Sequence, residues 1–419
     1  MEKSVKISNP WISKGTKHLF GDSCSSPVNS NPNVLSVQDT GVQKDLFIHS
    51  TAKVGETVSE SDLYLIRVFL ESFQSQIQQM TDEDGKMIDS SVLDGFATIG
   101  FVNEGNYCYQ NSILQCLLHT PSFFSLLKAL FLKFGAVDNP RTPFLTLLLR
   151  IVECMKQAHA DLTSRYAACL HLQELRELIA VKNCMFAEEQ SDIHEFFLYI
   201  LTELSTELSI LTPEETTSSG EQDWEEVGSG GRRLVINEAR MDEGILTSLF
   251  ETQLRKQSSL YRKKQRVEQQ SFATLSLPII GEIRSVNDAL TCFLSGEPGS
   301  GKGIYRIERT PPYLVLHLLR FSYDRVKKMP FKITKRIVFS RELSLDAYNM
   351  ASAVDYRHYE LYAVITHLGP NVTNGHYVAF CQGPEQNQWF RCDDEKIRDV
   401  SYQEVMHSEP YMLFYRGVK

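Results

Sequence analysis

The period of the hydrophobic pattern changes once along this chain, and that change restricts the fold more than any other feature. Between Gly100 and Leu208 apolar residues recur at helical spacing, with breaks expected at Pro121, Pro140 and Pro143. From Leu234 onward the pattern shortens to β-rich runs: "FATLSLPI", "YLVLHLLRF", "YELYAVITHL", "HYVAFCQ" and "YMLFYRGV". A helical first part followed by a strand-rich second part predicts an α+β fold, with a groove where the two meet. The acidic, Gly/Ser-rich stretch "TPEETTSSGEQDWEEVGSGG", residues 212–231, reads as a loop between them.

Residues 1–55, rich in Ser, Asn, Gly and Lys, read as a largely disordered N-terminal segment. Residues 56–94 form an extension whose helix, expected over 59–80, carries Leu63, Ile66, Leu70, Phe73 and Ile77 on one face. That stripe is wide enough to require a partner. No apolar run approaches the roughly 18 residues that span a bilayer, and the first residues lack the apolar centre of a secretory signal. The expectation is a soluble protein with no membrane partner. Nine cysteines are scattered singly, with no C-x-x-C pair, so neither a disulfide framework nor a Cys-rich zinc module is expected. A reducing compartment follows: the cytoplasm, with the nucleus, or the host cytosol for a microbial effector, as variants. The net charge of −9 weighs against nucleic acid and favours a neutral or basic partner. The basic run Arg255 to Arg266 accordingly reads as a solvated face. Nothing in the pattern fixes an oligomeric state.

One cysteine stands apart. Cys116, Cys154, Cys169 and Cys184 lie within apolar helical patterns and read as buried packing. Cys108, in "VNEGNYCYQNSILQCLLH", precedes Ile113, Leu114, Leu117 and Leu118, which mark a buried helix that must stop near Pro121. Cys108 therefore falls at or just before the first turn, where the partial positive charge of the helix start favours a thiolate. Gly105 permits a tight entry, and Asn103 or a nearby backbone amide is a candidate oxyanion donor. A nucleophilic cysteine needs a base, and among eleven histidines His376 is the candidate, because Gly375 precedes it and a strand alternation follows. Beyond Trp389, Asp393 or Asp394 is suited to accept from the other ring nitrogen and hold the tautomer. Spacing alone does not bring residues 108, 376 and 393 together.

These stretches resemble a known family. "GFVNEGNYCYQNSILQCLLH" is similar to the cysteine box of the ubiquitin-specific proteases, and "EEQSDIHEFFLYILTEL" to their Gln-Gln-Asp-Ala-His-Glu-Phe helix. "PPYLVLHLLRFSYD", "YELYAVITHLGPNVTNGHYVAF", "WFRCDDEKI" and "PYMLFYRGV" follow in the family's order, so the resemblance covers residues 95–419. It implies a papain-like catalytic fold with a helical thumb, a β-rich palm and a fingers region. It also implies hydrolysis of the (iso)peptide bond after the C-terminal Gly-Gly of ubiquitin or a ubiquitin-like modifier, without a cofactor. By the same resemblance Cys108 is the nucleophile, His376 the general base, Asp393 its orienting partner and Asn103 the oxyanion-hole residue. Asp192 and Glu195 match the helix that faces the basic tail of ubiquitin. Tyr107 replaces the usual Thr, Gln110 a Met and Ser191 a Gln, and none of these removes a catalytic group. The fingers region lacks its two C-x-x-C pairs, so it is expected to be reduced or held by packing alone, with no metal. The rival readings are a catalytically inactive ubiquitin-binding scaffold on the same fold and a papain-like enzyme acting on an unrelated peptide.

Two motifs are decoys. "GEPGSGKG", residues 296–303, approaches a phosphate-binding loop, but a helical pattern precedes it, a strand pattern follows it, and Gly303 stands where Ser or Thr must hold magnesium. "NVT" at Asn371 fits a glycosylation acceptor only in a secreted protein.

Overall fold

The computed structural model describes residues 96–134, 139–157, 162–186, 191–211, 225–227, 234–239, 245–259, 265–295, 304–324, 326–352, 354–371, 375–385 and 387–418. The segment 1–55, the helix over 59–80 and the phosphate-loop decoy at 296–303 lie outside the described residues. The helical part runs α1 (Cys108–Leu118), α2 (Pro121–Phe134), α3 (Pro143–Gln157), α4 (Leu162–Lys182), a short 3-10 turn at Cys184–Phe186, and α5 (Ile193–Leu211). The helical run breaks before Pro121 and Pro143 as expected, and each proline occupies the first position of the next helix, where the missing N–H is not needed and the fixed φ suits the turn. The chain bends by 82° between α1 and α2.

Every residue of α1 is buried, so its polar side chains must find partners. Gln115 Nε2 donates to the Ile99 carbonyl at 2.7 Å and Asn111 Nδ2 to the Phe101 carbonyl at 3.1 Å, which straps the extended segment before Cys108 along the helix. The start of α3 is satisfied from another helix: Glu207 of α5 accepts from the backbone N–H groups of Phe144 (3.0 Å) and Leu145 (2.8 Å). Cys116 and Cys154 are buried, but Cys169 is half-buried and Cys184 is exposed. The expectation of a buried Cys184 fails because the residue lies past the end of α4, in the 3-10 turn rather than on an apolar helix face.

The second part comprises β1 (Glu225–Val227), β2 (Leu234–Ala239), α6 (Ile245–Phe250), β3 (Thr252–Ser259), β4 (Gln265–Phe272), β5 (Leu275–Leu277), α7 (Val286–Ser295), β6 (Ile304–Arg309) and β7 (Tyr313–Leu318). Then come the hairpin β8 (Phe321–Asp324) and β9 (Met329–Lys332), β10 (Glu342–Ser344), β11 (His358–Leu368), β12 (His376–Gln382), β13 (Trp389–Asp393), β14 (Lys396–Val400), α8 (Tyr402–His407) and β15 (Pro410–Val418). β1 lies within the stretch 212–231 that reads as a loop in the sequence. The larger sheet has the order β14-β13-β12-β11-β15-β7-β5, with β10 also on β11; a second sheet has the order β1-β2-β4-β3-β6. The second sheet occupies the expected fingers region, and at its base Phe293 of α7 stacks on Tyr305 of β6 with centroids 5.3 Å apart.

Alternate residues of the larger sheet enter two different cores. Ala363, Ile365, Tyr377, Ala379, Cys381, Met412 and Phe414 join the core of the helical part. Leu361, Val364, Phe380, Leu413 and Tyr415 join a second core with Val286, Ala289 and Leu290 of α7. With both faces covered, the strands read as continuous apolar runs rather than alternating ones. Helix α1 rests on β12 and β13, and the first residue of α1 interacts with the first residue of β12. Those residues are Cys108 and His376.

Candidate active site

The loop before Cys108 is folded by one side chain. Asn103 Oδ1 accepts from the backbone N–H of Gly105 (3.3 Å) and of Tyr107 (3.1 Å), a local turn that an Asn favours and that delivers the chain into α1. Cys108 is the first residue of that helix, 4% exposed, at the end where backbone N–H groups lack helical partners. Asn103, the expected oxyanion donor, also has a second engagement. Its amide nitrogen donates 2.9 Å to Asp394 Oδ2, so one of its two N–H groups is committed to the opposite lobe.

His376 opens β12, opposite Leu368 of β11. Its Nε2 lies 2.6 Å from Asp393 Oδ1 and 3.9 Å from Asp394 Oδ2, which separates the two candidate carboxylates by distance. The remaining ring nitrogen is left for Cys108, where an imidazolium N–H donates to the sulfur. That bond, joined by those from Asp393 and the charge of Asp394, raises His376 to about 9 against the opposing effect of burial. Cys108 and an imidazolium are thus held together, the pairing a thiolate nucleophile uses. Against the penalty of its own burial, the hydrogen bond from His376 and the charge of Arg391 hold Asp393 below the usual carboxylate range.

Asp394 is placed differently. It sits in the turn between β13 and β14 with φ of 52°, a left-handed conformation that Asp tolerates better than most residues. Its backbone carbonyl accepts from Phe101 N at 3.0 Å, and its carboxylate accepts from Asn103 and, at 2.8 Å, from Asn111 Nδ2. Asn111 is held in turn by Arg176, which donates 2.7 Å to its Oδ1 and 2.7 Å to the Val102 carbonyl. The Arg176 guanidinium also lies 4.6 Å over the Tyr107 ring. Asp394 therefore ties the β13–β14 turn to the cysteine loop, while Asp393 faces the imidazole.

Asp192 and Glu195 lie at the start of α5. Asp192 Oδ1 accepts from His194 N at 2.7 Å, as a helix-capping residue does, and Oδ2 accepts from the Tyr411 hydroxyl at 2.7 Å. Burial, with the charge of Asp192, pushes the Glu195 carboxyl above its usual value. Neither residue has a hydrogen bond to Cys108, His376 or Asp393 among the described residues.

Three residues that the sequence reading passes over belong to this site. Arg391 stands two places before Asp393 on β13, hence on the same face of the strand, and its Nη1 lies 2.6 Å from Asp393 Oδ2. Asn111 follows Cys108 by one helical turn. Both spacings are visible in the chain; Arg176 has no local signal, because it reaches Asn111 from another helix. Among the described residues one cluster has metal-ligand geometry, His376 with Asp393 and Asp394, and its atoms are engaged by Cys108, Arg391, Asn103 and Asn111.

A helical lobe set against a sheet, with a thiol, an imidazole and a carboxylate in line across the junction, is the architecture of the two-lobed cysteine hydrolases. The family model described as ubiquitin carboxyl-terminal hydrolase matches residues 99–415, and the chain belongs to that family. It is 27% identical over 383 residues to ubiquitin carboxyl-terminal hydrolase 10 of Rattus norvegicus, covering 76% of this chain and 48% of the relative. It is 26% identical over 461 residues to the probable ubiquitin carboxyl-terminal hydrolase 3 of Schizosaccharomyces pombe, covering 97% of this chain and 82% of the relative. The chain thus spans about half the length of the rat relative. The fold is similar to that of the SAGA Ubp8/Sgf11/Sus1/Sgf73 DUB module bound to ubiquitin aldehyde, with a TM-score of 0.60, 22% identity, and coverage of 84% of this chain and 75% of that one.

Proposed function

We propose that this chain is a thiol-dependent deubiquitinase that hydrolyses the (iso)peptide bond after the C-terminal Gly-Gly of ubiquitin or a ubiquitin-like modifier. Membership of the family supports the substrate class. The single observation that carries the chemistry is that the His376 imidazole is held by Asp393 at 2.6 Å on one side and interacts with Cys108 on the other. In this reading the Cys108 thiolate attacks the glycyl carbonyl carbon, and the C–N bond breaks as the His376 imidazolium gives its proton to the leaving amine. Water then adds to the thioester carbonyl with His376 as base, and Cys108 leaves as the thiolate. Asp393 keeps the imidazole in the tautomer and orientation that both steps need.

Asn103 is proposed as an oxyanion donor in a narrower sense than the sequence implies. Its bond to Asp394 fixes the amide plane, and the second N–H, with a backbone amide at the start of α1, is left for the developing negative charge. Asp192 and Glu195 are proposed to meet the basic tail of the modifier; a carboxylate has about four lone-pair sites, so Asp192 retains acceptor capacity beyond His194 N and the Tyr411 hydroxyl. Residues 95–419 are proposed as the catalytic unit, residues 1–94 as an extension to it, and the reducing cytoplasm as its compartment. An electrophilic probe built on the C-terminus of ubiquitin tests the reading. Covalent capture at Cys108, absent in Cys108→Ala, supports an enzyme; reversible binding without capture would make the chain a scaffold.

A further inference from the structure

Asp393 divides its two oxygens between two cations. Oδ1 lies 2.6 Å from His376 Nε2, and Oδ2 lies 2.6 Å from Arg391 Nη1. The Arg391 and Asp393 side chains are 22% and 23% exposed, so water competes only partly for either group. The local backbone brings the two side chains within reach of each other. Positions 391 and 393 lie on one face of β13, and Asp393 is the last residue of that strand before the turn. A terminal strand residue followed by a turn is free to rotate its carboxylate unless something holds it, and a guanidinium is a rigid, directional donor suited to that task. Directly across the ladder from Arg391 stands Arg398, which is itself engaged by Glu404 of α8. With Glu404 taken by Arg398, the ion pair left to Arg391 is the one with Asp393.

We propose that Arg391 is a positioning residue of this centre: it grips one oxygen of Asp393 so that the other is presented to His376. The proposal rests on the reading of Cys108 and His376 as the reacting pair. Arg391 touches neither the thiol nor the imidazole, and acts on them through the carboxylate. It has a second effect, on charge. Arg391 and His376 share one carboxylate, so removing the guanidinium leaves the full negative charge to the imidazolium and holds its proton to higher pH. The groups facing His376 are Cys108 from α1, His367 from β11, and Asp393 and Asp394 from the β13–β14 hairpin. Of these only Asp393 is paired with Arg391, so a change at residue 391 reaches His376 through that carboxylate.

Arg391→Met, which keeps most of the aliphatic stem, and Arg391→Lys, which keeps the charge without the fork, separate the two effects. Two readouts are needed: steady-state cleavage of a ubiquitin C-terminal fluorogenic amide, and the pH dependence of Cys108 alkylation by iodoacetamide, followed on the Cys108 peptide by mass spectrometry because the exposed Cys184 reacts as well. In Arg391→Met, kcat should fall by about 10- to 100-fold, as for a small displacement of a catalytic group, with KM within about twofold. The alkaline limb of both pH profiles should move upward. In Arg391→Lys the limb should stay in place while kcat recovers only in part. Unchanged kcat and unchanged pH profiles in Arg391→Met overturn the proposal, as does a loss confined to KM. The alkylation readout needs no ubiquitin: a wild-type chain inactive on the fluorogenic amide would count against the proposed function, and the alkylation profile would still decide the role of Arg391.

Discussion

At the scale of single residues the site is a proton held between two partners, and its behaviour with pH follows. His376 lies near 9, above its ordinary value of 6.5, chiefly because Cys108 hydrogen-bonds it. A histidine raised on folding contributes stability that is fully present below about 6.5 and is lost as pH climbs through about 9. The melting temperature of the wild type should therefore fall between about pH 6.5 and about pH 9.5. Cys108→Ala, which removes the largest cause, should flatten that slope, and parallel slopes for the two proteins would contradict the pairing. The same Ala variant should abolish hydrolysis while retaining modifier binding, measured by turnover and by direct titration. Asn103→Ala should lower turnover by about 10²–10³ if its free N–H serves the oxyanion. A variant that loses binding alone would show that Asn103 matters only for the turn it makes with Gly105 and Tyr107.

Among the elements, the β13–β14 hairpin carries the most consequence, because it reaches across to the segment before α1. Phe101 N bonds the Asp394 carbonyl, and a Cβ on Gly100 would fall inside the backbone of Glu395. Gly100→Ala should push the hairpin away and misplace Asp393 with it. Turnover should drop sharply while the melting temperature falls only modestly, which calorimetry beside kinetics would check. Glu207→Ala is the contrasting change. It strips the start of α3 of a buried acceptor and should cost about 1.5–3 kcal/mol of stability with turnover per folded molecule intact. How far these elements were legible depends on the range of the interaction. The strand starting at His376 and the strand ending at Asp393 are written in local alternation, and the helix after Cys108 in local periodicity. The choice of Asp393 over Asp394 is not, because it is decided by a left-handed turn pinned through Asn103 and Asn111 from the other lobe. Arg176 is hidden for the same reason, whereas the breaks at Pro121 and Pro143 were legible because each proline opens a new helix.

For the molecule as a whole, both lobes share one sheet, and the sheet's order matters more than its size. β15 lies between β11 and β7, paired antiparallel with both, although it follows them in the chain. Met412 and Phe414 enter the core of the helical lobe while Leu413 and Tyr415 enter the other, so one strand fastens both cores. Amides of β7, β11 and β15 should then exchange with deuterium together, at the rate of global opening. Exchange of β15 ahead of its neighbours would show the lobes to be separable. A ribosome making this chain lays down Cys108 and then His376 well before it reaches Pro410, and until Pro410–Val418 has emerged the slot between β7 and β11 stays empty. The nucleophile is therefore synthesised long before the sheet that aims its base can close. An interrupted translation product, even one carrying every residue of the reacting centre, should be inert.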